Sequence, residues 1–159
     1  MHAMKLQKNS SLAVYSVLEF AADPTRHISA AQIADKYGLS AHHLAKVLSE
    51  LVRAGIVESV RGVGGGYRFA GNARRLTLMD VIKTFEAPGL PDGGGRDTVD
   101  LTPVGRALSA VLAEIDENAK ATLCSITLST MLRLIERQQR GAATPAERRK
   151  PSSARAAKG

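Results

Sequence analysis

The stretch that decides the fold runs Ser40-Ala41-His42-His43-Leu44-Ala45-Lys46-Val47-Leu48-Ser49-Glu50-Leu51-Val52-Arg53-Ala54-Gly55 and continues Ile56-Val57-Glu58-Ser59-Val60-Arg61-Gly62-Val63-Gly64-Gly65-Gly66-Tyr67-Arg68-Phe69. Leu44, Val47, Leu48 and Leu51 recur at i, i+3, i+4 and i+7, the spacing of one buried helix face. At about 100° per residue, His42, Lys46, Ser49 and Arg53 fall within a sector of about 60° on the opposite side, with His43 toward its margin. A basic, hydrogen-bonding face is therefore left outside. Gly55 ends the helix, and Ile56–Arg61 and Tyr67–Phe69 read as two strands joined by Gly62-Val63-Gly64-Gly65-Gly66. The result is a glycine-tipped hairpin flanked by Arg61 and Arg68.

Upstream, Ser29 is placed to cap a short helix through Ile33, Ala34 and Tyr37, which Gly38 stops just before Ser40 starts the next. Two helices joined by about three residues form a helix-turn-helix, and a hairpin directly after one is a wing. A first helix is expected from Asn9 or Ser10, with polar caps there, to about Ala22 before Asp23-Pro24. Val14, Leu18 and Ala21 are its apolar stripe, widened by Leu12 and Tyr15. Downstream, Thr77 with Asp80 resembles a capping box opening a helix through Leu78, Val81, Ile82 and Phe85, ended by Pro88-Gly89. Thr102-Pro103 then starts a long helix to about Ala121, with Val104, Leu108, Val111, Leu112 and Ile115 forming a helix-on-helix seam suited to a dimer. A last helix, capped by Thr127, carries Leu128, Met131, Leu132 and Ile135.

The expected organisation is mainly α: a winged helix-turn-helix DNA-binding domain with a two-stranded wing (1–88), a Gly/Asp-rich loop (89–101), dimerisation helices (102–140) and a disordered basic tail (141–159). The tail holds Ala, Pro, Ser and Arg without large apolar side chains, so it cannot offset its own ordering entropy. The whole chain has 159 residues, 22 Lys plus Arg against 15 Asp plus Glu, and a formal charge of +7. That size excludes a large multidomain enzyme, and that charge favours polyanionic partners, nucleic acid first. The excess sits at the two ends: 11 basic against 7 acidic residues over 1–88, 6 against 7 over 89–140, and 5 against 1 over 141–159. The single cysteine, Cys124, can form neither an intrachain disulfide nor a cysteine-rich metal site alone. Met1-His2-Ala3-Met4-Lys5 lacks the apolar core of a signal peptide, and no stretch nears the roughly 18 apolar residues of a membrane span, so a cytoplasmic location is expected.

With these residues in place the chain resembles the Rrf2 family of bacterial winged-helix transcription regulators. The resemblance rests on Ala31-Gln32-Ile33-Ala34, Gly38-Leu39-Ser40, Leu44–Leu48, Leu51–Val57 and above all Ser59–Arg68, and more weakly on Leu78–Glu86, the long helix and Ile126-Thr127-Leu128. It implies a homodimer on a near-palindromic double-stranded DNA operator, most simply as a repressor. By position, Ser40, His42, His43 and Lys46 would be readers on the recognition helix. Arg61, Gly64, Gly65, Tyr67 and Arg68 would form the wing, with the arginine in the minor groove, and Lys8 and Ser29 would touch phosphates.

The chain also departs from the family. Cluster-binding members carry three cysteines in the loop before the long helix, where this chain reads Pro88-Gly89-Leu90-Pro91-Asp92-Gly93-Gly94-Gly95-Arg96-Asp97. Thiolates hold such clusters, so no cofactor of that kind and no metal site is expected. Ala45 stands where the iron–sulfur cluster regulator has an acidic residue, so operator preference does not carry over. The signal is left open between a small-molecule effector and a redox change, with Cys124 as the candidate redox switch.

Other readings are weaker. The glycine loop lacks the Gly-Lys-Ser/Thr ending of a phosphate-binding loop and precedes a strand. His42 and His43 point about 100° apart, a poor metal pair. No nucleophile, base and orienting group stand together, so no enzyme is expected. The basic tail has no apolar face for a membrane. The alternative function is a protein-interaction regulator that binds an enzyme or polymerase partner and DNA only weakly.

Overall fold

The computed structural model describes residues 6–86 and 102–142; the loop and tail readings for 89–101 and 143–159 lie outside them. Six helices and one hairpin follow in order: α1 (Lys8–Ala22), α2 (Ala30–Tyr37), α3 (Ala41–Arg53), β1 (Val57–Val60), β2 (Gly66–Phe69), α4 (Leu78–Ile82), α5 (Pro103–Ser125) and α6 (Leu128–Ala142). The strands pair antiparallel, from Val57 opposite Phe69 to Val60 opposite Gly66. The architecture is the mainly α winged helix expected.

α1 is the central helix and packs against α3, α4, β2 and α6. Its small residues Ser10, Ala13 and Ser16 are fully buried, which lets neighbouring backbones close around it, with Val17 and Phe20 filling the middle. Ser16 satisfies its buried hydroxyl by donating to the Leu12 carbonyl at 2.8 Å. Leu44, Leu48 and Leu51 of α3 are also fully buried, as the spacing required. Fully burying a leucine contributes roughly 1.5–3 kcal/mol. Three on one face suffice to hold α3 in a single orientation.

The helix-turn-helix is set by local chemistry. Ser29 and Gln32 form a reciprocal capping box at the start of α2. Gly38, at φ +63°, turns the chain out of α2, its N–H and that of Leu39 closing onto carbonyls of the last turn. Ser40 then caps α3 by accepting from His43 N–H at 3.4 Å. The wing is tied down at its base by a two-bond bridge between Ile28 and Tyr67, both bonds 2.9 Å.

Several boundaries differ from expectation, each for a physical reason. α1 begins at Lys8, without a side-chain cap, and Ser10 is a core residue. The entry is anchored by Gln7 N–H donating to the Glu86 carboxylate at 2.9 Å, a contact across the fold. Tyr15 is half exposed and stacks on Tyr37 with ring centroids 5.3 Å apart. β1 ends at Val60, leaving Arg61 in the tip, and β2 starts one residue early at Gly66. α4 stops at Ile82 and the chain continues in turns, Phe85 still packing on the core. α5 runs four residues past Ala121 because Leu123 packs on the core, and α6 runs through Gly141 and Ala142.

Candidate nucleic-acid interface

α3 is held by its leucines, so its outer face is fixed as well. His42 and Lys46 are exposed and have no hydrogen-bond or ion-pair partner among the described residues. Ser49, on the same face, donates its hydroxyl to the Ala45 carbonyl at 3.0 Å, leaving its lone pairs to accept. Arg53 is paired with Glu50 at 2.7 Å. His43 is placed differently from a free reader: it is half-buried, with Nε2 out of contact with solvent and unpartnered.

In the wing the candidate residues divide into tip and base. Arg61 is exposed, has no ion-pair partner among the described residues and sits beside Val63, whose side chain is fully exposed. A Cβ on Gly65 would lie 2.4 Å from the Val60 carbonyl oxygen, so only glycine closes the tip; Gly64 supplies a φ of +74° in the same turn. Arg68 is committed to a cross-strand ion pair with Glu58. Tyr67 is an anchor: its backbone makes the bridge to Ile28 and its half-buried ring lies 6.3 Å from that of Phe20.

Ser29 accepts from Gln32 N–H, and its own N–H donates to Gln32 Oε1, leaving the hydroxyl proton available. Lys8 is exposed on the first turn of α1. Gly66, absent from the sequence-derived set, lies against the backbone of Ile28 and Ser29, with a φ of +152° and no room for a Cβ. Its contact brings the wing base beside the start of α2, so Ser29 and the hairpin share one side of the molecule. Run-of-glycine chemistry marked the tip, but only the tertiary bridge distinguishes Gly66.

On α5, Val104, Leu108, Val111, Leu112 and Ile115 are exposed by 77, 57, 56, 43 and 54 %. Five large apolar side chains in one exposed stripe form a candidate partner surface. Cys124, near the C-terminal end of the same helix, is exposed, and Lys120, one turn before it, is held by Asp116 and Glu117 at 2.9 Å each. No helix among the described residues is long and apolar enough to cross a membrane.

A helix-turn-helix with a polar recognition face and an arginine-bearing wing defines a winged-helix DNA-binding protein. The Rrf2 family model, described as an iron-dependent transcriptional regulator, matches residues 6–134. The chain is 50% identical over 139 residues, 86% of each chain, to a protein of Rhodopseudomonas palustris named as an HTH-type transcriptional regulator, BadM. Among solved structures it is similar to the T. potens IscR (TM-score 0.71, 26% identity, covering 92% of this chain and 97% of that one). It is also similar to CymR, the global cysteine regulator of B. subtilis (TM-score 0.67, 28% identity, 83% and 98% covered). This chain therefore belongs to the Rrf2 family and is a DNA-binding transcriptional regulator, not an enzyme.

The family's iron raises the question of a cluster site. No group of three or more His, Cys, Asp or Glu residues that could hold a metal occurs among the described residues. The segment 87–101 contains no cysteine or histidine, and Cys124 is the chain's one thiol. Donors of this kind do not fit the thiolate ligation of an iron–sulfur cluster.

Proposed function

We propose that the protein is a cytoplasmic homodimer that represses transcription by reading a near-palindromic operator without an iron–sulfur cluster. The observation that carries this reading is the exposed polar face of α3, with His42 and Lys46, on the same module as a wing tip whose Arg61 has no ion-pair partner among the described residues. In this reading residues 1–88 form the reading head and α5 and α6 the dimerisation unit. Ser40, His42 and Lys46 meet base edges and phosphates in the major groove, with His43 at the margin. Arg61, carried by the Gly64-Gly65 turn, enters the narrow, electronegative minor groove. Lys8 and Ser29 touch flanking phosphates. Tyr67 and Arg68 support the wing, Arg68 reaching DNA only by leaving Glu58. The α5 stripe pairs with its copy and sets the spacing of the two heads.

Cys124 is the proposed redox input. Exposed near the dimer stripe, it is accessible to oxidants or to a second thiol. The experiment for the whole reading is a footprint of the purified protein on its own upstream DNA, with the operon's transcription followed in the presence and absence of the protein. A protected near-palindrome over the promoter, and lower transcription with protein present, are expected. Specific capture of an enzyme or polymerase without a footprint would favour the protein-interaction alternative.

A further inference from the structure

A cavity of about 540 Å³ opens between the loop joining β2 to α4 and the start of α6, lined by Arg74, Thr127, Ser129, Leu132 and Arg133. Among the described residues, no carboxylate lines it. Arg74 and Arg133 are without a carboxylate partner among the described residues, whereas Lys36, Arg53, Arg68, Lys83 and Lys120 all have one. Arg133 is oriented by donating to Thr130 Oγ1 at 3.1 Å. Two arginines in one lining give the basin a positive potential that favours an anion.

We infer that this basin binds a small molecule bearing a phosphoryl group. Two guanidinium groups match a phosphoryl dianion in charge, and their forked donors suit its oxygens. The hydroxyl of Ser129 adds a donor, while that of Thr127 is engaged with Thr130. The first N–H groups of α6 are already committed: Leu128 to the Leu76 carbonyl, Ser129 to Ala73, and Thr130 to Thr127 Oγ1. Recognition therefore rests on side chains. The volume lies in the range of ordinary ligand sites, leaving space for an organic moiety against Leu132.

The location gives the site a consequence, which rests on the DNA-reading proposal above. Arg74 belongs to the reading head, and the other four lining residues belong to α6 and the turn before it. The joint is otherwise held by Leu128 N–H to Leu76, Ser129 N–H to Ala73 and Leu78 N–H to Ile126, each 2.9 Å. A dianion bridging Arg74 and Arg133 adds an ionic link across it and stiffens the head on the dimer unit.

Direct binding tests the site independently of DNA. Isothermal titration of the full chain in phosphate-free, low-salt buffer would use glycerol 3-phosphate, inorganic phosphate and citrate as probes. Saturable binding of glycerol 3-phosphate is expected, weakened about tenfold or more in Arg74→Gln and in Arg133→Gln and unchanged in Arg61→Ala. Ser129→Ala, with one donor removed and little else, should weaken it less. Absence of saturable heat, citrate binding as tightly as glycerol 3-phosphate, or loss in Arg61→Ala but not in Arg74→Gln would overturn the proposal. Phosphoryl binding with no effect on DNA affinity would leave the site standing and refute its regulatory consequence.

Discussion

Replacing Arg61 by alanine separates reading from folding. Its side chain is exposed and without an ion-pair partner among the described residues, so its removal should change stability by less than about 0.5 kcal/mol. In a dimer two such arginines are lost. Each DNA-contacting arginine is worth about 1–3 kcal/mol, so the pair should cost about 2–6 kcal/mol, roughly 30-fold to 10⁴-fold in affinity. With about 0.9 of a counterion released per neutralised phosphate charge, the slope of log affinity against log salt should fall by about 1.8. Arg68→Ala is the internal comparison, because Arg68 must surrender Glu58 before it can reach DNA. Its loss should cost less than Arg61→Ala. Fluorescence anisotropy with operator DNA between about 50 and 200 mM salt reads both quantities. Arg61→Ala binding with wild-type affinity and slope would refute the placement of the wing tip in the groove.

Four further outcomes are expected. Leu108→Glu places a charge in the exposed stripe of α5 and should give a monomer in sedimentation velocity, with the winged module's circular dichroism retained and operator affinity lost. Gly66→Ala drives a Cβ to within 2.7 Å of the Ile28 carbonyl oxygen and should destabilise the protein by about 1–3 kcal/mol in urea titration, with the wing loosened. Cys124→Ser should abolish any release of DNA by peroxide in gel-shift assays; release that persists in the variant removes Cys124 as the redox input. For pH, the Lys83 ammonium and the Thr77 N–H beside Asp80 hold its carboxyl below its ordinary value of 3.8. Because the folded-state value is depressed, the Asp80 contribution is fully present above its ordinary unfolded-state value and is lost as pH falls from there through the lower folded-state value. Asp80→Asn should therefore flatten the acid limb of stability seen by denaturation between neutral and acidic pH.

Much of this fold is written in local chemistry. The Leu44, Val47, Leu48 and Leu51 spacing, the Gly38 turn, the Thr77–Asp80 capping box and the glycine-tipped hairpin each act within a few residues, and each is found where its pattern places it. The α5 residues read as a seam are all exposed, and their pairing with a second copy is the part that the proposed dimer supplies. What escaped is what depends on distant partners. The start of α1 is held by Glu86, 79 residues away, so no local cap marks it. Tyr15 sits at a core-like spacing yet turns outward to stack on Tyr37, because periodicity gives a face and not its occupant. Thr122, Cys124 and Ser125 are weak helix formers, yet α5 continues through them. Thr122 and Ser125 donate their hydroxyls to carbonyls within the helix, and Leu123 holds it to the core.

At the interface the sequence identified which side chains were available by type, and the fold divides them by how they are already engaged. Among the described residues His42, Lys46 and Arg61 have no partner, whereas Tyr67, Arg68 and Ser29 have structural partners and His43 is half withdrawn. The partners of Tyr67 and Arg68 arise from β-pairing between segments, which residue spacing along one helix does not encode, whereas that of Ser29 is its local capping box with Gln32.

The central claim, that this regulator reads a specific DNA sequence as a dimer, is tested most directly by competition binding of the purified protein to its own upstream DNA against random DNA at fixed salt. The account predicts a preference of about 10³-fold or more, with two protomers per site and half-sites one helical turn apart or a multiple of it. Equal affinity for upstream and random DNA would contradict it.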